Sequence, residues 1–394
     1  MGEYRYIEKK LDEWIGGRID IMVLRVMEWL FRIRRRLASG SGSDQGNPRS
    51  ILLVELTHLG DALTALPAVG AISGAYPDAA ITWIVRESFA DFLRLQVPQV
   101  SILGVHAESG FSMLLQALRQ AIGGRWDLAC SLGPGRLNGA VAILSGAKAV
   151  AGFLECSGSK TPFRRTNIVS ALGIGKRSRV LQSHEPLALR PLKICEALGI
   201  SSPPSDLLPH KTDTGTIRSN TVVLQPFAGW KYRMWPMERW AELAKRLTEV
   251  SSRNVVILGQ TNDSEALEIL RAMVSGVPGL KIVEARTLLE AARVVAGCDL
   301  FVGCDSGPLH LATYLGVRSI GLFGPAEPAL TRPVWSPPSL FQGIYHRLEC
   351  SPCDQLRCIR PDSSCMTLIP VDQVIEAAGK MLGSVHENAV RKYE

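Results

Sequence analysis

Short, nearly continuous apolar runs recur along most of this chain, each followed by a helical pattern, and that alternation constrains the fold more than any other feature. The predicted strands of the first series are 51–56, 81–85, 101–105 and 127–132, with helical stretches such as 88–95 and 111–121 between them. A strand that is apolar on both faces must be covered on both, so the series predicts a parallel sheet between two helix layers. The stretch SSPPSDLLPHKTDTGTIRSN (201–220), rich in Pro, Ser and Thr, predicts a domain boundary. The alternation then restarts, with strands at 221–225, 254–258, 299–302 and 318–323 and helices at 236–249, 263–274, 288–296 and 307–315. Thr287 and Glu290 predict a capping box at the start of the 288–296 helix. Two doubly wound units in one chain place a ligand in the cleft between them, at the carboxyl ends of their strands.

The 394 residues suit two or three domains. Hydrophobic residues make up 46% and charged residues 21%, enough for a large core and against wholesale disorder. A net charge of +7 fits anionic partners such as phosphorylated substrates or a membrane surface. No zinc-finger spacing or RNP motif argues for nucleic acid. The absence of a leader pattern or of an uncharged apolar run long enough for a membrane span leads us to expect a cytoplasmic protein. Before the first strand, Arg25, Glu28, Arg32, Arg35 and Arg36 punctuate an apolar stretch at 19–37 with helical spacing. This basic amphipathic helix suits either an anionic membrane surface or packing on the protein's own body. ASGSGSDQGNPRS (38–50) reads as a flexible linker. The expected organisation is therefore helix and linker over 1–49, a first domain over 50–205, a second over 206–384, and a tail at 385–394.

Four stretches carry candidate chemistry. In FVGCDSGPLHLATYLG (301–316) a strand ends at Asp305-Ser306-Gly307-Pro308 and a helix begins. Asp305 is a plausible N-cap, Gly307 permits close approach, and the free N–H groups with the helix dipole suit a phosphate that His310 also reaches. The alternative is an ordinary capped helix. In QPFAGWKYRMWPMERWAEL (225–243), Lys231 and Arg233 lie at a strand's carboxyl end, where they fit a diphosphate or form a solvated charge pair. In ILLVELTHLGDALTALP (51–67), Asp61 either caps the next helix or faces the cleft as a general base. Thr57 and Gly60 share its loop as candidate substrate contacts, and His58 is a lesser candidate. In CSPCDQLRCIRPDSSC (350–365), Cys350, Cys353, Cys358 and Cys365 have a good zinc half-site in C-x2-C but a loose second pair. A disulfide pair or reduced thiols are the alternatives. No Asp-x-Asp pair marks the cleft loops.

Together these segments resemble glycosyltransferase family 9, the bacterial ADP-heptose:lipopolysaccharide heptosyltransferases. The resemblance is carried in order by ILLVELTHLGDALTALPAV, QPFAGWKYRMWPMERWAELAKRL, FVGCDSGPLHLATYLGVRSIGLFGPAEPALTRP and the cysteine cluster with CMTLIPVDQVIEAA. It covers roughly 51–383. The family implies a GT-B fold, two Rossmann-like domains facing across a cleft, with acceptor on the first and nucleotide sugar on the second. It also implies metal-independent inverting transfer from ADP-heptose, no cofactor, a lipid-linked saccharide acceptor and a cytoplasmic enzyme peripheral to the inner membrane. The family's proposed base falls on Asp61, its phosphate contacts on Ser306, Gly307, His310 and the Lys231–Arg233 loop, and its ribose contact near Asp263 or Glu265. One departure stands out: the family usually has a basic residue where Glu55 stands. Another nucleotide sugar, a protein or capsule acceptor, and a GT-B binding protein without turnover are the competing readings.

Overall fold

The computed structural model describes residues 47–106, 110–133, 136–155, 167–172, 178–180, 189–201, 220–251, 253–333, 336–353, 358–360 and 364–390. The expected 19–37 helix, its linker and most of the 201–220 boundary lie outside these residues.

The first sheet begins with β1 (Ser50–Glu55), α1 (Leu59–Ala75), β2 (Ala80–Arg86), α2 (Glu87–Gln96) and β3 (Ser101–Val105). α3 (Gly110–Ile122), β4 (Leu128–Ser131), α4 (Arg136–Leu144) and β5 (Ala149–Glu155) follow, then β6 (Asn167–Leu172), β7 (Ser178–Val180) and α5 (Arg190–Ala197). The strand order is β3-β2-β1-β4-β5-β6-β7. Strands β1 to β5 pair in parallel, while β6 and β7 extend the edge antiparallel. The second sheet is parallel throughout and ordered β10-β9-β8-β11-β12-β13. It comprises β8 (Thr221–Gln225), α6 (Met237–Ser251), β9 (Asn254–Gln260), α7 (Ser264–Met273), β10 (Leu280–Ala285), α8 (Leu288–Ala296), β11 (Leu300–Cys304), α9 (Gly307–Tyr314), β12 (Arg318–Phe323), α10 (Pro328–Thr331), β13 (Phe341–Tyr345) and α11 (Val371–Val390). This is the GT-B arrangement of two Rossmann-like domains.

In both sheets the first strand sits at the centre, which explains why its residues are apolar without alternation. Ile51, Leu52, Leu53 and Val54 are all 0% exposed. At about 1.5–3 kcal/mol per buried aliphatic side chain, these four contribute roughly 6–12 kcal/mol before chain entropy is counted. The loop that follows β1 is therefore held on a rigid base. One apolar cluster runs from Leu59, Ala62, Leu63 and Leu66 of α1 into Leu309, Leu311 and Ala312 of α9, joining the two domains. Phe92 meets Tyr314 edge-on with ring centroids 6.2 Å apart, and the Tyr314 hydroxyl donates to Gln96 Oε1 at 2.8 Å. The start of α8 differs slightly from the expected box. Thr287 Oγ1 accepts from Glu290 N at 3.1 Å, but Glu290 Oε2 accepts from Arg286 N at 2.8 Å rather than from Thr287. The last described helix packs on α6, β11 and β12.

Candidate active site

The carboxyl ends of β1 and β8 face each other across a cavity of ≈ 680 Å³ lined by residues of both domains. Thr57, His58, Leu59, Arg86 and Glu87 contribute from the first domain, and Gln225, Phe227, Gly229, Asp263, Thr287, Ser306 and Gly307 from the second. The helix starts α1 and α9 nearly touch at one edge. A Cβ on Gly60 would lie 3.0 Å from His310 Cδ2, and one on Gly307 would lie 2.9 Å from Leu59 Cβ. Glycine at both positions is what allows the Asp61 loop and the Ser306–Gly307 loop to meet.

Asp61 occupies the third position of α1 and serves as a cap; its neighbours Thr57, His58 and Leu59 line the cavity, and Asp61 and His310 lie beside that lining rather than in it. Its Oδ2 accepts from His58 N at 3.3 Å and from the Thr57 hydroxyl at 2.9 Å, and it lies 3.5 Å from His58 Nδ1. The Asp61 side chain is still 33% exposed, so the cap does not bury it. Burial opposes its charge, but the hydrogen bond and charge of His58, the Thr57 hydroxyl and the charge of His310 outweigh it. The carboxyl therefore lies below the ordinary aspartate range.

Asp305 is a correction to the sequence reading. The N-cap of α9 is Ser306, not Asp305, and no side chain caps this helix start. Asp305 instead turns into the protein, 3% exposed, where Oδ2 lies 3.2 Å from Arg233 Nη1 and accepts from the Thr331 hydroxyl at 3.3 Å. Burial pushes its carboxyl above the usual value, against Arg233, His310 and Thr331. The physical reason is competition: a buried carboxylate gains more from a guanidinium than from backbone amides. The first turn of α9 is thereby left with neither cap nor acid. Ser306 Oγ donates to Gln225 Oε1 at 3.3 Å or to Cys304 O at 3.2 Å. His310 stands between Asp61 and Asp305, and burial lowers its basicity against both carboxylates.

The other expected residues are dispersed. Arg233 lies behind the cavity wall on Asp305, and Lys231 is directed over the Tyr232 ring, 4.8 Å from its centroid. Neither lines the cavity; Asp263 does, and Glu265 does not. Asp263 Oδ2 accepts from Gln260 N at 2.9 Å, and burial raises its pKa. Cys350, Cys353, Cys358 and Cys365 are not joined in disulfides. Among the described residues, no group of three or more His, Cys, Asp or Glu side chains is gathered as metal ligands.

Sequence reasoning missed four supporting residues. Asn138, buried on α4, donates to Glu55 Oε1 at 3.2 Å and accepts from Leu56 N at 2.8 Å. Arg86 Nε donates to Leu56 O at 2.7 Å. Gln225 and Thr331 hold Ser306 and Asp305, as described above. Gln225 and Arg86 each close an apolar strand with a polar side chain, a signal that could have found them. Nothing local marks Asn138 or Thr331.

A profile of Glycosyltransferase family 9 (heptosyltransferase) matches residues 197–361, which include the Ser306 loop. Lipopolysaccharide heptosyltransferase 1 of Pseudomonas aeruginosa is 25% identical over 337 residues, covering 78% of this chain and 87% of that protein. Its coverage carries that match beyond residues 197–361 into the first domain. Residues 197–361 thus resemble glycosyltransferase family 9. Lipooligosaccharide heptosyltransferase 2 of Campylobacter jejuni is 28% identical over 159 residues, 39% of this chain. That match spans about half of the relative's own length, 48%. The fold agrees with the structure of Escherichia coli ADP-heptose lps heptosyltransferase II, with a TM-score of 0.62, 19% identity, and coverage of 86% of this chain and 99% of that one. The family match and the heptosyltransferase relatives support a glycosyltransferase. No described helix is long and apolar enough to cross a membrane.

Proposed function

We propose that this glycosyltransferase moves a heptose from ADP-heptose to a lipid-linked inner-core saccharide of lipopolysaccharide, with inversion and without a metal. The carrying observation is the apposition of the two helix starts, where a Gly60 Cβ would come within 3.0 Å of His310. A carboxylate base and an open helix N-terminus thus flank one cleft.

In this reading the acceptor hydroxyl attacks the anomeric carbon while Asp61 takes its proton. The new C–O bond forms on one face as the bond to the phosphate oxygen breaks on the other, and the electron pair leaves with the nucleoside diphosphate. Asp61 suits the role because it stays ionised and one face of it is exposed. A positioned base contributes about 10²–10⁴-fold. The charge on the leaving diphosphate falls to the α9 amides and His310, with Arg233 behind them. Fixed dipoles and cations aimed at such charge are worth about 10²–10³-fold each. Asp263, which lines the cavity, is assigned to the ribose. The names of the relatives supply the sugar and the acceptor class, and the basic 19–37 segment suits an anionic membrane surface.

Calorimetric titration of ADP, UDP and GDP, with His310→Ala alongside, tests the donor. Selective ADP binding, weakened by His310→Ala, is expected. A preference for UDP or GDP would discard ADP-heptose and keep the fold-level assignment. Transfer from ADP-heptose to deacylated inner-core saccharide then tests the acceptor.

A further inference from the structure

The loop after β1 contains a second carboxyl. Glu55 is 1% exposed, and its Oε1 receives Thr57 N at 2.9 Å and Asn138 Nδ2 at 3.2 Å. Its Oε2 is buried without a hydrogen-bond partner, in a pocket that only a glycine at 133 leaves open: a Cβ there would fall 2.0 Å from Oε2. The Thr57 hydroxyl oxygen is within hydrogen-bond reach of both Glu55 Oε1 and Asp61 Oδ2. A hydroxyl has one proton and cannot donate in two directions. Both contacts can be hydrogen bonds only if one carboxyl carries a proton and donates it to the threonine oxygen.

The surroundings decide which one. Asp61 faces His58 and, from the second domain, His310, and it is partly open to solvent. Glu55 faces Asp61 and the more distant Arg86, whose Nε is committed to Leu56 O; from α4 it meets the neutral Asn138. An ionised Oε2 in that pocket would be a buried charge with no donor, whereas a neutral acid's carbonyl oxygen costs far less there. Burial, and then the Asp61 charge, push Glu55 up to about 7.

We propose that Glu55 is a positioning residue for Asp61: protonated, it donates to the Thr57 oxygen, so that the threonine proton is fixed on Asp61 Oδ2 and the aspartate is held ionised and oriented for the acceptor. This rests on the reading of Asp61 as base. The proton pair balances as one proton on Glu55, one on Thr57 and none on Asp61 until the acceptor hydroxyl supplies one. When Glu55 ionises, two carboxylates compete for one threonine proton and the alignment of Asp61 is lost.

The test has two readouts. With glutamate side-chain carboxyls labelled by ¹³C, a resonance absent from Glu55→Gln should titrate near pH 7 in the full-length protein and move toward the ordinary range in Asp61→Asn. In transfer assays, kcat should fall as pH rises through about 7. Glu55→Ala and Thr57→Val should each lower kcat about tenfold with little change in KM. Glu55→Gln cannot ionise and should abolish the alkaline fall, while its kcat stays below that of the parent because an amide nitrogen cannot accept from Thr57 N and Asn138 Nδ2 as Oε1 does. A Glu55 carboxyl titrating like a free glutamate, or a Glu55→Gln profile identical to that of the parent protein, overturns the proposal. If the parent protein transfers nothing from ADP-heptose, the donor reading fails, and the ¹³C titration still decides the carboxyl pair.

Discussion

Two helix starts meet at the edge of the cleft, and they are treated in opposite ways. The first turn of α1 is closed by its own Asp61, which accepts from His58 N and the Thr57 hydroxyl. The first turn of α9 has no side-chain cap and no acid, because Asp305 has been drawn off to Arg233 and Thr331. A closed start can carry a base, since its carboxylate is already stabilised as an anion by the amides and dipole. At the open start Pro308 has no N–H and Leu309 N donates to Ser306 O at 3.1 Å, so the amides proposed for an incoming anion are those of Ser306 and Gly307. The same structural element thus gives opposite chemistry according to where one aspartate points.

The largest expected effect breaks the closed side. Asp61→Asn keeps a side chain that can accept from His58 N but removes the proposed base. Its kcat should fall by about 10²–10⁴-fold with ADP affinity nearly unchanged, and the melting temperature at neutral pH should drop modestly because the folded state stabilises the Asp61 carboxylate. A kcat within a few-fold of the parent would remove Asp61 from the chemistry.

Next comes the counterweight that keeps α9 open. Arg233→Met takes away the guanidinium 3.2 Å from a carboxylate that is 3% exposed. Breaking one side of such a buried pair costs about 3–5 kcal/mol, and the low end applies because Thr331 and His310 remain beside Asp305. The folded-state value of Asp305, already raised, rises further. The native state then binds the extra proton, so the deficit should grow as pH rises above the unfolded aspartate value and shrink in acid. Urea unfolding at several pH values reads it directly.

Glu55 gives a third effect with the same sign. Its folded value of about 7 exceeds the ordinary 4.5, so the native state holds more protons between these values. Stability of the parent relative to Glu55→Gln should fall as pH rises across that window and then level off. The total is at most about 3 kcal/mol by linkage.

How much of this could be read from the chain follows from where the information lies. β8 (221–225) and β12 (318–323) are read to the residue, because central strands are apolar throughout and end in loops with glycine or proline. The two-domain fold was legible for the same reason. The antiparallel β6 and β7 were not, since an edge pairing leaves no distinct apolar pattern. At the site, the order Gly60-Asp61 and Asp305-Ser306-Gly307-Pro308-Leu309-His310 was visible. The orientation of Asp305 was not, because its partners Arg233 and Thr331 lie 72 and 26 residues away. Glu55 was visible only as a departure from the family pattern. Its meaning came from Asn138, 83 residues on.

The contact between the two starts can be sharpened by adding a single methyl group. In Gly307→Ala the new Cβ would lie 2.9 Å from Leu59 Cβ, close to the α1 backbone, so the domains must shift apart. Overpacking of this kind costs about 1–3 kcal/mol. Gly60→Ala meets the His310 ring at 3.0 Å, and a ring can rotate where a Cβ cannot, so the smaller loss belongs there. A melting experiment on both variants orders them. If Gly60→Ala costs more, the contact between the starts is tighter at His310 than at Leu59.

The smallest effect tests whether openness, rather than any helix start in the cleft, makes the anion site. The start of α8 also lines the cavity, but Thr287 Oγ1 accepts from Glu290 N at 3.1 Å and Glu290 adds a negative charge to its first turn. Its Glu290 amide is already used. Thr287→Ala should therefore cost the usual price of a lost N-cap, about 1 kcal/mol, seen as a small drop in urea midpoint. ADP affinity should stay within about twofold, because the phosphates are assigned to α9. A several-fold change in ADP affinity would instead mean that the diphosphate spans both helix starts, and the opposition between one closed and one open terminus would have to be redrawn around three.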